Sequence, residues 1–299
     1  MKQIKNQLVD KDGEIVQAKD KILNEMILDF SIVNKDAREH SSQTEVCKTI
    51  SGMSQEPWPE DVVLYQPYKD EQIILPDLSN CLAVEAFLRM CHLEYQIEER
   101  TNAEAMSPTL KVPFIKADRY VLSGLDGILQ FVETKGITLT DKLAHEERFN
   151  MKAYMSLLTN MLELAELYLC WFDKQTYNNV TSIRNGFAHS WPLNHIQNRM
   201  KQFKIERKLQ AFEWYQKSID DVLLDVETCC EALSIRLDGK PLFFEGGPTE
   251  LDALVFGHLS AILRVPLPRN ELASKVMKFP SLVQFVRKIN ADYFKSSWK

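Results

Sequence analysis

The chain has 299 residues, 45% of them hydrophobic and 26% charged, with a formal net charge of −6. This is ordinary globular composition, long enough for one large or two modest domains whose core needs no staple. The mildly acidic balance excludes a chain that tracks nucleic-acid phosphates, and it offers no polybasic patch for anionic lipid. Cys47, Cys81, Cys91, Cys170, Cys229 and Cys230 include no Cys-x-x-Cys pair, so they read as reduced thiols rather than a redox or zinc site. No apolar run approaches the ~18 residues of a membrane span. Asp10, Asp12, Glu14 and Asp20 are residues that a mitochondrial transit peptide avoids.

In chain order, residues 1–54 are polar and weakly patterned, and are expected to form a flexible extension in which only 22–33 is apolar enough for a short helix or strand. Pro57-Trp58-Pro59 opens the ordered part. A buried strand is expected at 62–65, and a helix opened by Pro76 with Asp77 or Ser79 as its first polar residue. A second strand follows at 95–97, a strand pair at 112–115 and 120–122, and a helix over 127–135 closed by Gly136. The order βαβ-ββα predicts one parallel strand pair and one hairpin. From about residue 140 the texture becomes helical. Apolar residues from Met151 to Phe172 recur in steps of three and four, as on one face of a long helix. A loop is predicted over 177–194, then a second long helix over 194–236 ended by Asp238-Gly239. Further helices are expected from Thr249, from about Asn270 and over 281–293. Thr249-Glu250-Leu251-Asp252 is a capping box, in which Asp252 can reach back to the Thr249 amide.

A small βαβ-ββα unit followed by helices is similar to the plan of glutathione transferases. The carriers are Lys111-Val112-Pro113-Phe114 before the third strand, the capping box at Thr249, and Phe279-Pro280-Ser281-Leu282 with Phe285. Longer blocks resemble the metaxin family of that superfamily, in its metaxin-2 type: Glu56-Pro57-Trp58-Pro59, Met106-Ser107-Pro108, Trp191-Pro192-Leu193-Asn194-His195-Ile196, and the run from Pro248 to Leu259. The resemblance covers roughly residues 55–295. It implies an α+β fold, with a thioredoxin-like domain at 55–137 followed by an all-helical domain at 138–299. The chain closes on Tyr293 to Lys299 without the C-terminal anchor of metaxin-1-type chains.

A working transferase of this fold stabilises a thiolate near the first helix and binds the γ-glutamyl group through a Glu/Gln-Ser pair after the fourth strand. Here Gly124-Leu125 stands at the pair, leucine has no hydroxyl, and Ser123 is two positions early. The resemblance therefore implies a vestigial site at Pro113, Ser123, Gly124 and Leu125, with no cofactor. Cys81 is the rival nucleophile, placed near a helix start where the macrodipole lowers a thiol pKa. Tyr65 and Tyr68 are weaker candidates. His92, His145, His189, His195 and His258 lack ligand spacing, so no metal is expected.

The expected function is non-enzymatic. The resemblance implies a peripheral subunit on the cytosolic face of the mitochondrial outer membrane. It would dock with a metaxin-1-like partner and the sorting and assembly machinery for β-barrel proteins. The aromatic-rich contacts are Trp58 and the segment holding Phe187, Trp191, Pro192 and His195. The charged stretch Lys201–Lys208 reads as a solvated face or a partner surface. Two alternatives stand beside this: a glutathione transferase or single-thiol oxidoreductase using Cys81, and an adaptor joining mitochondria to motor proteins.

Overall fold

The computed structural model describes residues 57–294; the whole of the expected extension 1–54, with Cys47, lies outside the described residues. Four short strands form one sheet: β1 (Val63–Gln66), β2 (Gln96–Glu99), β3 (Phe114–Ala117) and β4 (Tyr120–Ser123), in the order β2-β1-β3-β4. A helix, α1 (Leu75–Met90), separates β1 from β2 and returns the chain to the same end of the sheet, so the two run parallel, Val63 opposite Gln96. β3 is antiparallel to both β1 and β4. Its turn into β4 is tight enough that Asp118 takes left-handed backbone, φ 53°.

The other helices are α2 (Ala103–Met106), α3 (Gly124–Thr134), α4 (His145–Leu158), α5 (Leu164–Trp171), α6 (Lys174–Thr176), α7 (Ser182–Asn185), α8 (Leu193–Ala211), α9 (Ile219–Leu237), α10 (Glu250–Arg264), α11 (Glu271–Met277) and α12 (Pro280–Ile289). A π-helical turn at Thr159–Glu163 joins α4 to α5, so the long stripe read from Met151 to Phe172 runs through one nearly continuous rod. Leu158, Leu162, Ala165 and Leu169 lie on its buried side.

Two expectations are corrected. The long helix expected over 194–236 is two helices. The chain breaks at 212–218, where Trp214 turns into the core and Tyr168 donates its hydroxyl to the Lys217 carbonyl at 2.8 Å. Ser218 then caps α9: its hydroxyl accepts from the Asp221 amide, and the Asp221 carboxylate accepts from the Ser218 amide. The loop expected at 177–194 is helical over its first part. Asp173 starts it by accepting from the amide and the hydroxyl of Thr176, at 2.9 and 2.8 Å.

Twelve of the sixteen residues of α1 are buried, and twelve of the fifteen of α10. Neither is a surface amphipath; both are enclosed on nearly all sides. Their mutual contact is the most extensive between any two elements of the described residues. It is possible because Gly257 has no side chain. A Cβ there would stand 2.5 Å from the Ser79 carbonyl oxygen and 2.6 Å from the nitrogen and Cβ of Ala83. One continuous apolar cluster runs from Leu64 and Ile115 in the sheet, through Phe87 and Phe256, to Phe285 and Ile289 of α12.

Gly257→Ala tests this crossing. Overpacking against rigid backbone should lower the unfolding free energy by about 2–3 kcal/mol, read as a reduced urea midpoint. An unchanged midpoint would mean that the two helices separate freely.

Candidate functional site

The vestigial thiol site that the resemblance implies would lie between the start of α1, the β3 entry and the start of α3. The Val112–Pro113 peptide is cis, and the Pro113 carbonyl accepts from the Gly124 amide at 3.0 Å. Gly124 has φ 72° with open space around it, so backbone conformation rather than crowding demands glycine. Leu125 is buried, and the Ser123 hydroxyl is engaged with Thr109 Oγ1 at 2.7 Å. Tyr65 stacks on Phe114, centroids 4.8 Å apart, and burial together with the Glu98 carboxylate raises its phenol. Tyr68 is at the surface.

Cys81 is completely buried. α1 begins at Leu75, so Cys81 sits in the second turn, beyond the first turn in which the helix dipole acts. Burial pushes its thiol well above the ordinary range, and the charges of Asp77 and Glu85 add to that. A thiol in that environment holds its proton and reaches no substrate.

The start of α1 is filled by the chain itself. Asp77 lies in the first helical turn, with Lys201 Nζ of α8 at 3.9 Å from it and at 2.6 Å from Glu104 Oε2 of α2. Burial raises the Asp77 carboxyl to about 6; Lys201 opposes the rise and Glu104 adds to it. Arg184 donates to the Ile73 carbonyl at 2.9 Å just ahead of the helix. The anion-favouring end of α1 thus already holds a carboxylate and its lysine.

One turn deeper is a sealed polar group. Glu166 Oε1 of α5 accepts from the Ser79 hydroxyl at 2.9 Å and lies 2.8 Å from His258 Nδ1 of α10. All three residues are buried. Ser79 also donates to the Leu75 carbonyl at 3.0 Å, so its hydroxyl is tied to its own helix as well as to Glu166. The arrangement joins three helices and has no access for a reactant. Burial raises Glu166, against the pull of His258. Burial works to lower His258, but the adjacent Glu166, with Glu163 beyond, outweighs it and leaves the imidazole raised.

The remaining singled-out residues fall in separate places. Trp58 is half-buried, donates Nε1–H to the Glu94 carbonyl at 2.9 Å and packs on Phe131. Phe187 and His195 are exposed, and Trp191, joined to Pro192 by a cis peptide, is 77% exposed. Asp252 Oδ2 accepts from the Thr249 amide and hydroxyl at 2.8 and 2.6 Å, while Oδ1 accepts from the Phe243 amide at 3.1 Å. The capping carboxylate therefore also pins the loop before α10. Nothing local in the sequence marks Glu166; Asp77 is expected there only as a helix opener and Lys201 only as part of a solvated or partner-facing stretch, whereas the structure turns both inward onto each other. His258 is marked there, as the polar residue interrupting the apolar run 253–263.

A family model for outer mitochondrial membrane transport complex proteins, Tom37, matches residues 81–202, and one for the glutathione S-transferase C-terminal domain matches residues 226–289. Human Metaxin-2 is 50% identical over 82% of this chain and 93% of its own length. The Caenorhabditis elegans Metaxin-2 homolog is 34% identical over 74% of this chain and 95% of its own. Among solved structures, the beta-etherase LigF of Sphingobium superposes with a TM-score of 0.52 at 14% identity, covering 79% of this chain and 99% of that one. That last likeness shows the fold alone.

The raised groups set a pH dependence of stability. Asp77, Glu166 and His258 each bind a proton more tightly in the folded chain than in the unfolded one. Their contribution is therefore fully present below the unfolded values and is lost as pH rises through the folded ones. For Asp77 that window runs from 3.8 to about 6. For His258 it begins at 6.5. His258→Ala should cost about 1–3 kcal/mol, because it leaves a buried carboxyl oxygen of Glu166 without a hydrogen-bond partner; a urea midpoint equal to that of wild type would refute the contact.

Proposed function

The chain belongs to the metaxin family, and from that premise we propose that it is a non-enzymatic docking subunit of mitochondrial outer-membrane protein import and β-barrel assembly. It works there beside a metaxin-1-like partner and the sorting and assembly machinery, on the cytosolic face. The observation that carries the non-enzymatic part is the enclosed thiol position: Cys81 is buried with its proton held tightly, and Asp77 and Lys201 occupy the start of α1. Leu125, at the vestigial pair, leaves the γ-glutamyl group of glutathione without a side-chain hydroxyl. No described helix is long and apolar enough to cross a membrane, in keeping with attachment through a partner.

The contact surface in this reading is the segment with Phe187, Trp191, Pro192 and His195. Trp58 is better accounted for as a pin, since its indole is hydrogen-bonded and its ring is packed. The motor-adaptor alternative would use the same surface, and the names of the relatives described above do not point to it.

The deciding experiment depletes the chain from mitochondria and follows assembly of a radiolabelled β-barrel precursor. Assembly should fall, and both the wild-type chain and Cys81→Ser should restore it in full. Restoration by wild type but not by Cys81→Ser would return the oxidoreductase reading; unimpaired assembly without the chain would remove the import role. Calorimetry with the purified chain should show no saturable heat at millimolar glutathione, whereas binding that disappears in Cys81→Ser would reopen the site.

A further inference from the structure

Helix α8 is attached to the protein by its polar side. Asn198 is buried, donating to the Ser182 carbonyl at 2.9 Å and accepting from Asn185 at 2.7 Å. Lys201 reaches Glu104 and Asp77, Gln202 donates to the Trp171 carbonyl, and Lys208 reaches Glu163 at 2.6 Å. Ile205 and Leu209 are the only apolar residues of the helix that are buried. The opposite face carries Leu193, Ile196, Met200 and Phe203, exposed by 44, 51, 63 and 50%. A helix that turns amides and lysines inward and a row of large apolar side chains outward is the reverse of a solvated surface helix.

The row has steps of three, four and three. At about 100° per residue it occupies a seam roughly 80° wide. Its N-terminal end continues into exposed Trp191 and Phe187: a Cβ on Gly186 would meet Asn194 Cβ at 3.2 Å, so the two segments are packed together. Exposed Arg199, Lys204 and Arg207 flank and end the seam, the last with its guanidinium 4.5 Å from the centre of the Phe203 ring. The one carboxylate of α8, Glu206, is half-buried and accepts from Gln210.

We propose that this outward face of α8 seats an amphipathic helix of the partner protein, one with a heptad-spaced apolar stripe bordered by carboxylates. The inference rests on the docking role proposed above and names the chemistry of the surface that performs it. The alternating steps fit helix-into-helix packing, with apolar anchors at i, i+3, i+7 and i+10. A lipid surface imposes no such spacing and favours a broader apolar face. A second copy of this chain would set Arg199, Lys204 and Arg207 against their own equivalents, a like-charge arrangement that costs affinity. A carboxylate-bordered helix satisfies both the seam and its rim.

The test uses the full chain and the full metaxin-1 relative of the same organism, co-purified and then titrated by biolayer interferometry. Met200→Glu with Phe203→Glu should weaken binding by roughly tenfold or more. Arg199→Glu with Lys204→Glu should weaken it and flatten its salt dependence. Both pairs lie at the surface, so thermal midpoints by circular dichroism should match wild type and exclude misfolding. A photoreactive benzoylphenylalanine replacing Met200 should crosslink to a partner segment with apolar steps of three and four and neighbouring Asp or Glu. Crosslinking to lipid or to a second copy would overturn the inference, as would a wild-type complex indifferent to both variants. Failure of the wild-type chains to form a complex would remove the docking role and this surface together.

Discussion

The closest approach of α1 and α10 governs the rest of the molecule. With Gly257 lying against Ser79 and Ala83, the two backbones meet almost without side chains between them. Helices at that distance leave no room for a solvated carboxylate or imidazole, so the polar groups beside the crossing must satisfy one another. Glu166 Oε1, His258 and Ser79 do so across three helices, while Glu166 Oε2 is buried without a hydrogen-bond partner. Such a group adds less to stability than its hydrogen bonds suggest, because desolvation opposes it. It does penalise any other register, since a shifted α10 would strand a buried charge. Position comes from the glycine contact, and uniqueness comes from the carboxylate and imidazole beside it.

The same packing closes the region at the start of α1. Cys81 lies one turn past the Asp77 end of α1 and within reach of its charge. α8 swings Lys201 onto that end and bridges to Glu104 of α2. What would be the floor of a ligand cleft is therefore a contact between helices of one chain. Beside it, the cis Val112–Pro113 peptide and the left-handed Gly124 set the backbone path from β3 into α3.

Much of the fold was legible in the sequence, because strands and long helices are set by local periodicity. The strands lie within one or two residues of their expected places, and the parallel pair and the hairpin follow from the spacing between them, whereas the pairing of β3 with β1 is set by the fold and not by local spacing. The break at 212–218 was hidden because apolar residues continue through it, although the Ser218-x-x-Asp221 cap was written there. The helical turns of 177–185 depend on Asp173 and on Asn198 from the next helix, which no local window contains. The site was less legible. Asp77 or Ser79 as the opening residue put Cys81 at the helix end; in the structure Ile74 precedes α1 with no side-chain cap and the helix starts earlier. Glu166 and His258 are 92 residues apart, so only folding makes them partners. The apolar steps of α8 were likewise visible in the sequence, but which side of that helix faces inward was not, because polar residues hold it in place.

The attachment of α8 differs in kind from the crossing beneath it. Gly257 and Ala83 hold by shape, a contact indifferent to dissolved ions. Lys201 and Lys208 hold by charge near the surface, where mobile ions compete. The lysine contacts of α8 are thus expected to weaken with salt more than the α1–α10 crossing does, while its buried Asn198, Ile205 and Leu209 keep their hold. Amide exchange along α8 would quicken with ionic strength while that of α10 stayed slow. A ligand seated on α8 then does more than adhere to a preformed surface: it ties down the least firmly held helix and shares its ordering free energy with the lysine contacts behind it.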